Sequence, residues 1–165
     1  MRSRHASSPG EFAVDVDHTN APWAVARGEP FRTIAALELF ATLVCVVSFS
    51  SDWPEGTRGA MALQGSTDNA GNTFAVTRLM TSKFPFIVIL AELAAQLRKR
   101  AMALDLQWVP RDQNEEADAL TNGAFGSLDP QRRIQIDPLK VEWLLLPRLV
   151  AVAEQLYRDT QDLAS

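Results

Sequence analysis

Disulfides cannot hold this chain together, because its 165 residues include a single cysteine, Cys45. A fold that depends on cross-links is excluded, and an unpaired thiol fits a reducing compartment. Cys45 sits in LVCVVSF, where it reads as core packing and not as a nucleophile. Histidine is almost as scarce. His5 and His18 are alone, and no Cys/His spacing suits zinc. There is no surplus of positive charge either. The net charge is −4, so general attraction to polyanions is excluded. Binding to nucleic acid would need a local basic patch or a bound cation. The longest apolar run, IAALELFATLVCVVSF, falls short of the roughly 20 residues that span a bilayer, and it carries Glu38 near its start. No apolar stretch follows the basic residues of MRSRHASSPGEF, so no secretory signal is read. The expectation is an intracellular chain, cytoplasmic or nuclear, without a membrane segment.

What is present is an α/β pattern. EFAVDVD alternates, with Phe12, Val14 and Val16 on one face, and predicts a strand. APWAVARGEP reads as a short strand or extended segment. Thr33 is placed to cap a helix over 34–49. AMALQGSTD predicts a strand ending near Asp68, and NAGNTFAVTRLMTS a helix. Pro85 stands where helices accept proline, just before FIVILAELAAQLRKRA. LDLQWVP predicts another strand. Asn114 is a good N-cap for a helix ending near Gly123. RIQI alternates briefly. Asp137 and Pro138 then open a helix to the C-terminus that Pro147 should kink or split.

Three acids stand out. From Ile34 to Val47 the polar side chains are Glu38 and Thr42, four apart and so on one helix face. A helix that is apolar nearly all round is a buried helix, where a carboxylate is costly unless paired, protonated or bound to metal. Solvation near an exposed helix end is the plainer alternative. Asp68 closes a strand just before a helix, the position where open α/β sheets bind ligands, although Asp-Asn is also a common turn. Asp118 falls in the first turn of a helix between Ala117 and Ala119. Small neighbours allow other groups to approach, and complementing the helix dipole is the plainer use. Together, a helix Glu, a strand-end Asp and a helix-start Asp form a carboxylate cluster if the fold unites them. Such hard oxygen ligands suit Mg²⁺ or Mn²⁺.

In this order IAALELFATL, GSTDNAGNTFAV and LQWVPRDQNEEADALTNG resemble the ribonuclease H-like domain of retroelement (retrotransposon) reverse transcriptases. The last motif, Trp-hydrophobic-Pro, a short gap and Asn-x-x-Ala-Asp-Ala-Leu, is the most specific. The likeness runs from about Glu11 to Gly123. It implies a mixed sheet, three antiparallel strands followed by two parallel ones, flanked by helices. It also implies hydrolysis of the RNA strand of an RNA–DNA hybrid by two metal ions held by four carboxylates. Glu38, Asp68 and Asp118 match three of the four, as catalytic residues and metal ligands. The implied partners are the hybrid and the rest of a reverse transcriptase polyprotein.

The match has a gap. The family's first aspartate lies on the first strand, with two more strands before the glutamate helix. Asp15 and Asp17 are the upstream aspartates, and the span from Asp15 to Glu38 hardly holds two further strands at about five or six residues each. The expectation is therefore a ribonuclease H-like domain over 11–130, lacking its first strand, after a disordered tail over 1–10. A C-terminal helical extension covers 131–165. The family's histidine before the last aspartate has no counterpart here. Three other readings stay open. One is a working nuclease using Asp15 or Asp17. One is a non-enzymatic module binding nucleic acid or protein, with Arg98, Lys99 and Arg100 as a basic patch. The last is a helical interaction protein docking through VEWLLLPRLVAVAEQLY.

Overall fold

A computed structural model describes residues 12, 14, 16, 17, 19–24, 31–50, 61–81, 83–115 and 134–164. Among them the order is helix α1 (Phe31–Phe49), strand β1 (Met61–Thr67), helices α2 (Ala70–Arg78) and α3 (Phe86–Lys99), strand β2 (Met102–Trp108) and helix α4 (Leu146–Ala164). The class is mixed α/β. The two strands pair in parallel, Met61 beside Met102 through Thr67 beside Trp108, and the ladder is extended by Val109 N–H donating to the Thr67 carbonyl at 2.9 Å. Parallel pairing follows from the connection: two helices lie between the strands, enough chain to return to the same end of the sheet.

The pair is half-covered. Leu63, Leu104 and Leu106 turn inward, whereas Gln64, Ser66, Asp105 and Gln107 are exposed, the period-two alternation of a sheet with one buried face. Gly65 lies opposite Leu106, and a Cβ built on it would stand 3.2 Å from a Leu106 methyl. A larger residue at that point requires the Leu106 side chain to give way by a few tenths of an ångström.

The core is mostly helical. Leu39, Leu43 and Val44 of α1 are buried, as are Ile89 and Leu93 of α3, and the two helices pack on each other. Each such side chain contributes roughly 1.5–3 kcal/mol by leaving water. This is the buried helix that its nearly uniform apolar sequence predicts. Trp23 meets Phe40 edge-on with centroids 5.3 Å apart, and Phe40 meets Trp143 at 5.7 Å. One aromatic row thus ties the N-terminal segment and the approach to α4 onto α1. Cys45 is a packing residue as read, and burial pushes its thiol up to about 11. No helix among the described residues is long and apolar enough to cross a membrane.

Several local expectations are corrected. The strand read over EFAVDVD is not formed at residues 12, 14, 16 and 17. Phe12 packs on the Phe49 ring instead, and Asp17 closes a turn by accepting the N–H groups of Thr19 and Asn20 at 2.7 and 3.0 Å. Alternation supplies a face, but a strand also needs a partner edge. Pro22–Ala24 is a 3-10 turn rather than extended chain. Thr33 lies inside α1, which starts at Phe31. The helix expected from Pro138 is only a 3-10 turn, Pro138–Lys140, capped by Asp137 through Leu139 N–H at 3.0 Å. Pro147 then falls in the first turn of α4, where its missing N–H costs nothing, so it begins a helix instead of bending one. Leu146 is buried and Trp143 and Leu149 pack on the core, whereas Leu156 is 61% exposed.

Candidate metal centre

The carboxyl end of β1 is shaped by three consecutive residues. Thr67 is buried and its Oγ1 accepts the Asn69 N–H at 3.2 Å. Asn69 caps α2, its Oδ1 accepting from the N–H groups of Gly71 at 3.0 Å and Asn72 at 3.3 Å. Capping satisfies donors that the first helical turn leaves orphaned. Asp68, between them, is held at the mouth of the strand pair with its side chain partly covered.

The segment after β2 closes on Asp68 from the other strand. The Trp108 indole N–H donates to the Asp68 carbonyl at 3.0 Å. Asn114 Nδ2 donates to Asp68 Oδ1 at 3.4 Å, and Arg111 Nε stands 3.9 Å from Oδ2. The arginine is largely exposed, so this ion pair is worth little to stability. Its effect is local, placing positive charge beside the aspartate. The turn that brings it there is a 3-10 turn, Arg111–Gln113, behind Pro110. Asn114 itself ends that turn, and Glu115 is helical. The rest of the helix expected up to Gly123 lies outside the described residues.

Glu38 reaches the same region through α2. Asn72, on the first turn of that helix, donates from Nδ2 to Glu38 Oε2 at 3.2 Å. Asn72 is 1% exposed, and its Oδ1 is buried without a hydrogen-bond partner. Thr42, the other polar residue of the α1 run, donates its hydroxyl to the Glu38 carbonyl at 3.1 Å and so serves the helix backbone. Glu38 is half-buried, which separates it from a solvated helix-end acid.

Two of the three expected acids are therefore linked to the same corner. Glu38 is tied to the start of α2, and Asp68 immediately precedes that helix. Asp118 lies outside the described residues, as does Asp15. Among the described residues, no three His, Cys, Asp or Glu side chains gather closely enough to hold a metal ion. The basic triplet is largely occupied: Lys99 pairs with Glu142 at 3.0 Å, and Arg100 donates to the side chain and carbonyl of Gln96.

Sequence reasoning passed over two polar residues. One is Asn72. The other is Glu92, fully buried in α3, whose carboxylate accepts the N–H groups of Leu144, Leu145 and Leu146 at 2.9, 2.6 and 2.7 Å and the Gln96 amide at 2.5 Å. The signal for Glu92 was an acid inside FIVILAELAAQL, the same signal that singled out Glu38. No family model, curated protein or solved structure matches the chain.

Proposed function

We propose that the chain is a ribonuclease H-like unit of a retroelement reverse transcriptase, of the class that hydrolyses RNA in RNA–DNA hybrids with Mg²⁺ or Mn²⁺. The observation that carries this reading is the closure of WVPRDQN on Asp68 by Trp108, Arg111 and Asn114. The segment after β2 meets the end of β1 at the carboxyl ends of two parallel strands, where α/β sheets bind ligands, and Glu38 is tied to the helix that starts there. The donor chemistry fits a hard cation: carboxylate oxygens, with no thiol or imidazole among the described residues of the corner. Glu38, Asp68 and Asp118 would hold it. When bound, such ions generate the attacking hydroxide and stabilise the leaving oxygen.

The chain's own residues set limits on that chemistry. Asn114 and Arg111 orient Asp68, and Asn72 orients Glu38. A second metal needs a fourth acid. Asp17 is exposed and accepts two N–H groups of its own turn on Oδ1, and Asp15 lies outside the described residues; the reading is of a chain that binds cation and hybrid but does not cleave at a useful rate by itself. The test is fluorescence anisotropy with a labelled RNA–DNA hybrid, with and without Mn²⁺, alongside a cleavage assay. Binding strengthened by Mn²⁺ and lost in Asp118→Asn, without cleavage, is the expected result. Metal-independent binding, equal for hybrid and duplex DNA and unchanged in Asp118→Asn, would favour the non-enzymatic module on the same fold.

A further inference from the structure

We infer that Asn72 is a positioning residue for Glu38, holding its carboxylate in the orientation in which it meets a divalent cation. The inference rests on the functional reading above, and goes beyond it by naming a residue outside the carboxylate set.

The amide's orientation is dictated by its partner. An ionised carboxylate only accepts, so Nδ2 must face Glu38 Oε2, and Oδ1 must point away. Oδ1 then has no donor although it is buried. A buried acceptor without a partner costs stability. Asn72 is therefore a poor choice for the core of α2 and a good one for Glu38. The helix that carries it is rigidly started, because Asn69 caps the N–H of Asn72 itself. Its amide is thus fixed relative to Asp68, one residue before the cap. The donor removes rotamer freedom from a long side chain. Partners that orient metal ligands in this way typically change affinity about 10- to 100-fold when removed.

The experiment is calorimetric titration of Mn²⁺ into the full chain and into the variants Asn72→Leu, Asn72→Ser, Glu38→Gln and Asp68→Asn, with the melting temperature of each measured without metal. The expected result is Mn²⁺ affinity at least about tenfold weaker in both Asn72 variants. The metal-free melting temperatures of the two Asn72 variants should change far less than their Mn²⁺ affinities, which a merely structural role would not produce. If both Asn72 variants bind Mn²⁺ like the parent while Glu38→Gln and Asp68→Asn bind poorly, the positioning role is wrong and the carboxylate site stands. If Glu38→Gln and Asp68→Asn also bind like the parent, the site itself falls and the inference falls with it. If neither Asn72 variant folds, Asn72 belongs to the core, and the inference is overturned.

Discussion

Glu92 and Glu38 are both carboxylates on apolar helices that pack against each other, yet they are used in opposite ways. Glu92 has no exposed surface, and both its oxygens accept backbone N–H groups at the entry to α4. It accepts the N–H of Leu146, the first residue of α4, and of the two residues before it, and so joins α3 to the C-terminal segment. Glu38 is half-buried, and its Oε2 receives an amide that itself leaves an acceptor unsatisfied. A saturated carboxylate is structural and has little capacity for a ligand. Glu38, half-buried and met by an amide at a cost to that amide, is the one proposed above for binding. An acid within an apolar helix thus marks a special position but does not say which kind.

The sharpest way to break this comparison is to remove Glu92. Glu92→Leu leaves three N–H groups near the core without acceptors, and each unpaired donor costs about 1–3 kcal/mol. Urea denaturation should show a loss of about 3 kcal/mol or more. A change under about 0.5 kcal/mol would place Glu92 with ordinary surface acids. Gly65→Val comes next. Its side chain would press on Leu106 under the floor of the site, and overpacking of this kind costs about 1–3 kcal/mol in the same measurement.

Much of this frame was legible in the sequence, and the reasons are local. The α1 run is apolar on nearly every side, Pro85 precedes α3, and the strand signals around Leu63 and Leu106 are bounded by turn residues. The corner was legible in part, because Asp68 follows a strand and Trp108 to Asn114 follows the neighbouring one. What failed depended on partners distant in sequence. Phe12, Val14 and Val16 alternate, yet among the described residues they pair with neither strand. The helix expected from Pro138 stops after one turn, and α4 begins where Glu92, more than fifty residues upstream, offers acceptors for its first donors. Asn72 could not be singled out, since a polar residue in the first turn of a helix is ordinary until its buried amide is found against Glu38.

A smaller effect of opposite sign tests a region touching neither acid. Leu79 ends α2 at φ 50°, a left-handed conformation that costs a side chain about 1–2 kcal/mol, and it is exposed. Leu79→Gly should raise stability by about 1 kcal/mol, since glycine takes that conformation freely. Unchanged or lower stability would mean that the leucine side chain compensates by contacts.

The central claim is that Glu38, Asp68 and Asp118 form one cation site at the carboxyl end of the strands. The most direct measurement is a crystal structure of the chain grown with Mn²⁺, with anomalous diffraction locating the metal. The account predicts an anomalous peak with carboxylate oxygens of all three residues about 2.1 Å away or one water removed, and with the Asn72 amide still on Glu38. A peak elsewhere, or Asp118 facing solvent on the opposite side of the sheet from Asp68, would contradict it.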